Sequence, residues 1–289
     1  MPDRSPFSGL LSSEALVVAP GVYDGLSAAL VESAGFAAGY MSGAAVSASA
    51  VGLPDVGLAT MTEMVAQAVV IRRQFSGPLI ADADTGFGDV TNVYRTVQEY
   101  VRAGVAAIQL EDQVFPKKCG HLEEKQVVDR VEFREKIQAA VQARADSEVL
   151  VIARTDARAT HGFAEAIERA QAYAEVGADL IFVEAPQTLD EVRAIPNEVD
   201  VPTVFNLVPR GKTPNVSLAD LEAFGYRVVI APGACIGSAA TAMRAALLEL
   251  RAGVTDVDSQ DSPRELFDSL GLPFWESLRA NFTGAETHG

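Results

Sequence analysis

The sequence predicts an α/β protein built as a (β/α)8 barrel, and three observations carry that prediction. Short β-rich runs alternate with longer helical patterns along most of the chain. The β-rich runs add up to eight. Several are continuously apolar rather than alternating, as expected of strands covered on both faces.

The strands are expected at Leu16–Ala19, Ala37–Met41, Leu79–Asp82, Ala107–Leu110, Val149–Arg154, Leu180–Glu184, Thr203–Asn206 and Val228–Ala231. Helices fit between them, among them Val90–Ala103, Arg130–Arg144 and Phe163–Val176. Two of these run into glycines, Gly104 and Gly177, whose access to left-handed backbone stops a helix cheaply. Eight units with none left over favour a closed barrel over an open sheet. No Gly-x-Gly-x-x-Gly follows the first strand, which removes the main signal for a dinucleotide fold. The chain therefore reads as one domain, 1–289, with 255–289 as a C-terminal helical extension. That tail carries Leu266, Phe267, Leu270, Phe274, Trp275 and Leu278, broken by Pro263 and Pro273. An apolar appendage of this kind is expected to pack on its own barrel or on a neighbouring subunit.

Bulk composition narrows the function. A formal net charge of −16 would repel nucleic-acid phosphates, so no nucleic-acid partner is expected. No apolar run approaches the ~20 residues needed to cross a bilayer, and the first residues lack a secretory apolar stretch. Only Cys119 and Cys235 occur, which suits a reduced compartment and a cytoplasmic location. The same negative charge would repel a carboxylate substrate. Any anion site must be made locally.

Barrel enzymes place their chemistry at the C-terminal ends of the strands. The third strand runs into Asp82-Ala-Asp84-Thr-Gly-Phe-Gly, and the fourth ends at Glu111-Asp112-Gln113. Residues two apart on a strand point the same way, so Asp82 and Asp84 are expected to face one cation, with Glu111 joining directly or through water. Hard oxygen donors of this kind suit Mg2+. Clustered carboxylates without a counter-ion raise one another's pKa, a conflict that a metal resolves. Alternatively, Asp84 only caps the following turn. The next loop, Lys117-Lys-Cys119-Gly120-His121-Leu, sets a thiol among cations, which favours its reactivity, on a segment suited to closing over substrate. An exposed basic loop with an incidental cysteine is the competing view. One Cys and one His supply only half of a zinc site. Arg154 is the natural carboxylate clamp, with Glu184 as its partner or as a substrate contact. Asn206 ends the seventh strand, Tyr23 follows the first, and Ser42-Gly43-Ala44 after the second can offer a hydroxyl and backbone N–H groups to an anion.

The loop Lys117–Leu122 resembles the lyase signature of the isocitrate lyase/phosphoenolpyruvate mutase superfamily. Pro20-Gly-Val-Tyr23-Asp24, Ser42-Gly43, Gly52-Leu-Pro-Asp55, the Asp82–Gly88 segment, Glu111–Gln113, Ala153–Asp156 and Gly211–Pro214 fit the same family in the same order. The resemblance implies a homotetramer, with the C-terminal helices exchanged between neighbours. It implies Mg2+ (Mn2+ as a substitute) held chiefly by Asp82, with Asp84 and Glu111 acting partly through water. Tyr23, Ser42, Gly43, Ala44 and Arg154 would hold the substrate, with Asp55, Gly120, His121, Glu184 and Asn206 completing the pocket. The catalytic set it implies is Cys119, Tyr23, Lys117, His121 and Arg154, with Cys119 as general acid. The expected partner is a small di- or tricarboxylate whose carbon–carbon bond is cleaved. A phosphonomutase acting on a carbon–phosphorus bond is the alternative. One departure matters. Members that take a third carboxylate carry an arginine after the eighth strand, whereas Pro232–Ser238 holds none before Arg244. That favours a smaller 2,3-substituted malate or oxaloacetate.

Overall fold

A computed structural model describes residues 7–13, 15–120, 124–255 and 261–283. Eight parallel strands close into a barrel in chain order: β1 Val17–Val22, β2 Gly39–Met41, β3 Leu79–Asp82, β4 Ala107–Glu111, β5 Leu150–Thr155, β6 Leu180–Val183, β7 Thr203–Asn206 and β8 Val228–Ala231. Closure is made by β1 against β8, with Val17 opposite Val228 and Pro20 opposite Ala231. β3, β7 and β8 match the expected bounds, and the others shift by one to three residues. The largest shift is in β1, which continues through Pro20-Gly21 to Val22, past the expected end at Ala19. Gly21 permits this, since a Cβ there would lie 2.1 Å from the carbonyl oxygen of Pro232.

Helices cover the outside, and their starts follow the local sequence. Asp89 accepts from the Val90 N–H to open Val90–Arg102, and Asp129 does the same for Arg130–Ala143. Gly104 and Gly177 adopt φ of 79° and 102°, as their places after the helices at Val90–Arg102 and Phe163–Glu175 suggested.

Inside the barrel, Ile80, Ile152, Phe182 and Ile230 form a buried cluster with Phe7, which comes from the short helix Phe7–Ser12. The barrel is thus a packed core with one end plugged, and ligands have access only from the opposite rim. A larger cluster joins the strands to the helices around them.

The helices Ala234–Arg251, Pro263–Asp268 and Leu272–Thr283 behave differently. None of their described side chains is buried. Leu247, Leu248, Leu250, Phe274, Trp275 and Phe282 are each more than 60% exposed. The described part of the tail thus buries none of its apolar side chains against the barrel. Parts of the expected extension, 256–260 and 284–289, lie outside the described residues. Among those described, no helix is long and apolar enough to cross a membrane.

Candidate active site

A cavity of about 250 Å3 opens at the C-terminal ends of the strands. Ser42 and Ala44 line it from the segment after β2. Asp82, Glu111, Arg154 and Asn206 come from the ends of β3, β4, β5 and β7, and Glu184 from just beyond β6. Asp55, Lys117, Cys119 and Gly120 reach it from loops. Ten expected site residues thus share one cavity with Cys119.

Asp82 is fixed by two backbone donors. The N–H of Gly43 reaches its Oδ2 at 3.2 Å and that of Asp84 its Oδ1 at 3.1 Å. Gly43 is needed there, since a Cβ would stand 2.6 Å from Asp82 Oδ2. Asp84 lies beyond the end of β3 with a left-handed φ of 48°, so strand alternation does not direct its side chain. The turn brings it back nonetheless, and its Oδ1 would be 3.3 Å from that same Cβ. Asp84 sits behind the cavity wall rather than on it.

Lys117 inserts its buried ammonium into this cluster, 2.5 Å from Asp55 Oδ1 and 2.8 Å from Asp84 Oδ1. Burial alone would lower the lysine's pKa, but Asp84, Glu111, Asp82 and Asp55 outweigh it and hold it well above the usual range. Lys117 is therefore a fixed positive charge. The carboxylates feel the converse. Burial pushes Asp84 up to about 6 against the pull of Lys117, and pushes Glu111 well above its ordinary value against Arg154 and Lys117.

One lysine does not satisfy this cluster. Glu111 Oε1 is buried without a hydrogen-bond partner. A cation held at this cluster would relieve that orphaned oxygen. Among the described residues, no three His, Cys, Asp or Glu side chains form a ready cage. Carboxylate oxygens are hard donors, the kind suited to a cation such as Mg2+ that takes few protein ligands.

Arg154, expected as a carboxylate clamp with Glu184 as its partner or as a substrate contact, is engaged chiefly by Asp156. Its Nε donates to Asp156 Oδ2 at 2.9 Å and its Nη2 to Oδ1 at 3.1 Å, with Glu111 and Glu184 at 3.4 and 3.8 Å. Asp156 takes two of the five guanidinium donors and sets the plane in which the side chain meets the cavity. Burial would raise the Asp156 pKa, but Arg154 and Lys125 dominate and hold it at about 2.

Two expectations differ from the structure, and a third falls outside the described residues. Tyr23 is only half-buried and does not line the cavity; Tyr40 does, from β2, with its hydroxyl donating to Gln109 Oε1 at 3.3 Å. The Gly43 N–H is engaged by Asp82 and the Ala45 N–H by Ser42 Oγ, so this turn orders the acidic cluster more than it offers donors to an anion. His121 lies outside the described residues.

The facing wall is uncharged: Ala48, Val208, Pro232, Gly233 and Ile236. The sequence had marked Pro232–Ser238 by its lack of arginine, but not Ala48 or Val208, whose place at the cavity no local signal announces. Arg154 and Lys117 are the only cationic side chains among the described residues lining the cavity.

A family model described as phosphoenolpyruvate phosphomutase matches residues 7–251. The 2,3-dimethylmalate lyase of Eubacterium barkeri is 46% identical over 278 residues, covering 94% of this chain and 96% of the relative. A 2-methylisocitrate lyase of Aeropyrum pernix is 44% identical over 274 residues, covering 94% and 88%. Among solved structures, oxaloacetate acetylhydrolase in complex with 3,3-difluorooxalacetate is 38% identical with a TM-score of 0.93, covering 99% of this chain and all of that one.

Proposed function

The chain belongs to the phosphoenolpyruvate phosphomutase family, within the isocitrate lyase/phosphoenolpyruvate mutase superfamily, and from that premise we propose that it is a cytoplasmic, Mg2+-dependent lyase that cleaves the C2–C3 bond of an alkyl-substituted malate. The observation that carries this reading is the meeting, in one cavity, of Cys119 with Asp82, Glu111 and Arg154, opposite an uncharged wall.

Bound at Asp82, with Asp84 and Glu111 acting partly through water, Mg2+ (or Mn2+) would supply a Lewis acid to the oxygen on C2. The protein's own groups do the rest. Lys117 balances the carboxylates with its buried ammonium. Arg154, oriented by Asp156, faces a substrate carboxylate, and Ser42, Gly43, Ala44, Asp55, Gly120, Glu184 and Asn206 order the remaining polar groups. Tyr23 and His121 belong to the same proposed set. The 2-hydroxyl loses its proton, the C2–C3 electron pair passes to the carbon bearing the second carboxylate, and C2 leaves as a 2-oxo acid. Cys119 delivers a proton to that carbon, a contribution on the order of 10² to 10⁴ in rate.

The uncharged wall supports alkyl groups on the substrate over a third carboxylate, which would need a cation opposite it. The high identity to a 2,3-dimethylmalate lyase supports the same choice. A product assay with Mg2+ across 2,3-dimethylmalate, methylisocitrate, isocitrate, oxaloacetate and phosphonopyruvate tests it. Pyruvate and propionate from dimethylmalate are expected at the highest kcat/KM. Oxalate from oxaloacetate as the main product would move the chain to the hydrolases. Interconversion of phosphonopyruvate and phosphoenolpyruvate would make it a mutase.

Assembly as a homotetramer that exchanges its C-terminal helices is part of the proposal, supported by the exposed Leu247, Leu250, Phe274 and Trp275. Sedimentation of a monomer at micromolar concentration would refute it.

A further inference from the structure

We propose that Lys125 and Asp156 are a positioning pair that seats the Cys119–Gly120 backbone against Arg154. The proposal rests on the lyase reading above for its catalytic consequence, but not for its geometry. Lys125 does not line the cavity. Its side chain is nevertheless 1% exposed, and its ammonium meets Asp156 Oδ1 at 2.6 Å and the carbonyl oxygen of Gly120. A buried ammonium is costly unless both its charge and its donors are used. Here the charge is met by Asp156 and a donor by the residue next to Cys119.

The same Asp156 oxygen also accepts from Arg154 Nη2 at 3.1 Å. Gly120 completes the ring of contacts. A Cβ on it would fall 2.3 Å from Arg154 Nη2 and 2.2 Å from Glu184 Oε1, so its backbone lies flush on both side chains. Lys125, Asp156, Arg154 and Gly120 thus form a closed circuit, with Cys119 attached at one corner. On the other side the Cys119 N–H donates to the Asp55 carbonyl at 3.2 Å, and Gln113 holds Lys118 by both its N–H and its carbonyl, at 3.0 and 2.8 Å. The thiol is therefore located by its two neighbours. Lys125 is the contact that ties one of those neighbours to the arginine facing the substrate.

The test compares wild type with Lys125→Met, which keeps the length of the side chain, and Lys125→Arg, which keeps its charge. Alkylation of Cys119 by iodoacetamide is followed by peptide mass mapping, with Cys235 as internal reference, across a pH series that separates thiolate fraction from access. The plateau rate at Cys119 is expected to rise about tenfold in Lys125→Met, the scale set by losing a charged hydrogen bond, and to return toward wild type in Lys125→Arg. In turnover, kcat should fall on the order of 10²-fold while the oxalate-with-Mg2+ dissociation constant stays within about twofold. A Cys119 plateau rate unchanged in folded Lys125→Met would overturn the proposal. If that variant does not fold, Lys125→Gln replaces it, and a wild-type rate there has the same force. Alkylation needs no turnover, so a shifted rate in a protein that cleaves no malate would sink the lyase reading and leave the positioning pair standing.

Discussion

The two walls of the cavity are made by opposite means. The side built on β3, β4 and β5 is a buried lattice of charge, in which Asp82, Asp84, Glu111, Lys117, Arg154 and Asp156 hold one another in place. The side built beyond β7 and β8 is held by packing alone, through Val208, Pro232 and Ile236. Charge fixes geometry over fractions of an ångström and is intolerant of loss, because each removed partner strands another buried ion. An apolar wall sets only volume and dryness, and it can be reshaped. The first wall is where a common chemistry belongs, and the second is where substrate choice belongs.

The sharpest way to break this contrast is Asp82→Asn. It keeps an oxygen for one of the two N–H donors, Gly43 or Asp84, sets an NH2 group against the other and removes the charge, so the fold should persist at reduced stability. Cleavage should fall on the order of 10³-fold, and the thermal stabilisation by Mg2+ with oxalate should vanish. A variant that retains both would move the metal elsewhere. Cys119→Ser comes next, with a loss of at least about 10²-fold in kcat and an oxalate affinity close to wild type.

A third prediction concerns stability on the charged side. The folded pKa of Asp156 lies at about 2, below the ordinary unfolded value of about 3.9. Its stabilising effect is therefore complete above pH ~4 and lost as pH falls toward 2. Urea denaturation of Asp156→Asn should show a deficit of about 2–3 kcal/mol at pH 7 that narrows as acid is added. A deficit independent of pH would assign Asp156 a packing role instead.

The smallest effect is expected on the apolar wall. Ile236→Ala should lower kcat/KM for 2,3-dimethylmalate roughly tenfold, as a few missing methylenes do, and leave Mg2+ stabilisation untouched. Matched losses on alkylated and unsubstituted substrates would remove Ile236 from substrate choice.

The fold was legible because strand burial and helix stops are local. Leu79–Asp82 and Val228–Ala231 read correctly from their apolar runs, and Gly104 from its place after a helix. The acidic cluster was legible for the same reason, since Asp82, Asp84 and Glu111 stand at strand ends. What escaped was what depends on distant partners. The clamp was legible at Arg154, but not the claim that Lys125, 31 residues before Asp156, lays on that neighbouring carboxylate. Tyr40 was not singled out, because nothing in its own sequence context sets it apart from the rest of β2. Tyr23 was expected at the cavity, yet β1 runs on to Val22 and Tyr23 is not among the lining residues.

The helix Ala234–Arg251 begins at the rim, where Ile236 touches the cavity, and runs on to Leu247 and Leu250, which stay exposed among the described residues. On the proposed function, substrate discrimination and subunit docking would lie on one continuous rod, about three to four turns apart. Dilution that strips neighbours from the far end would loosen the near end, so selectivity among substrates should itself follow mass action.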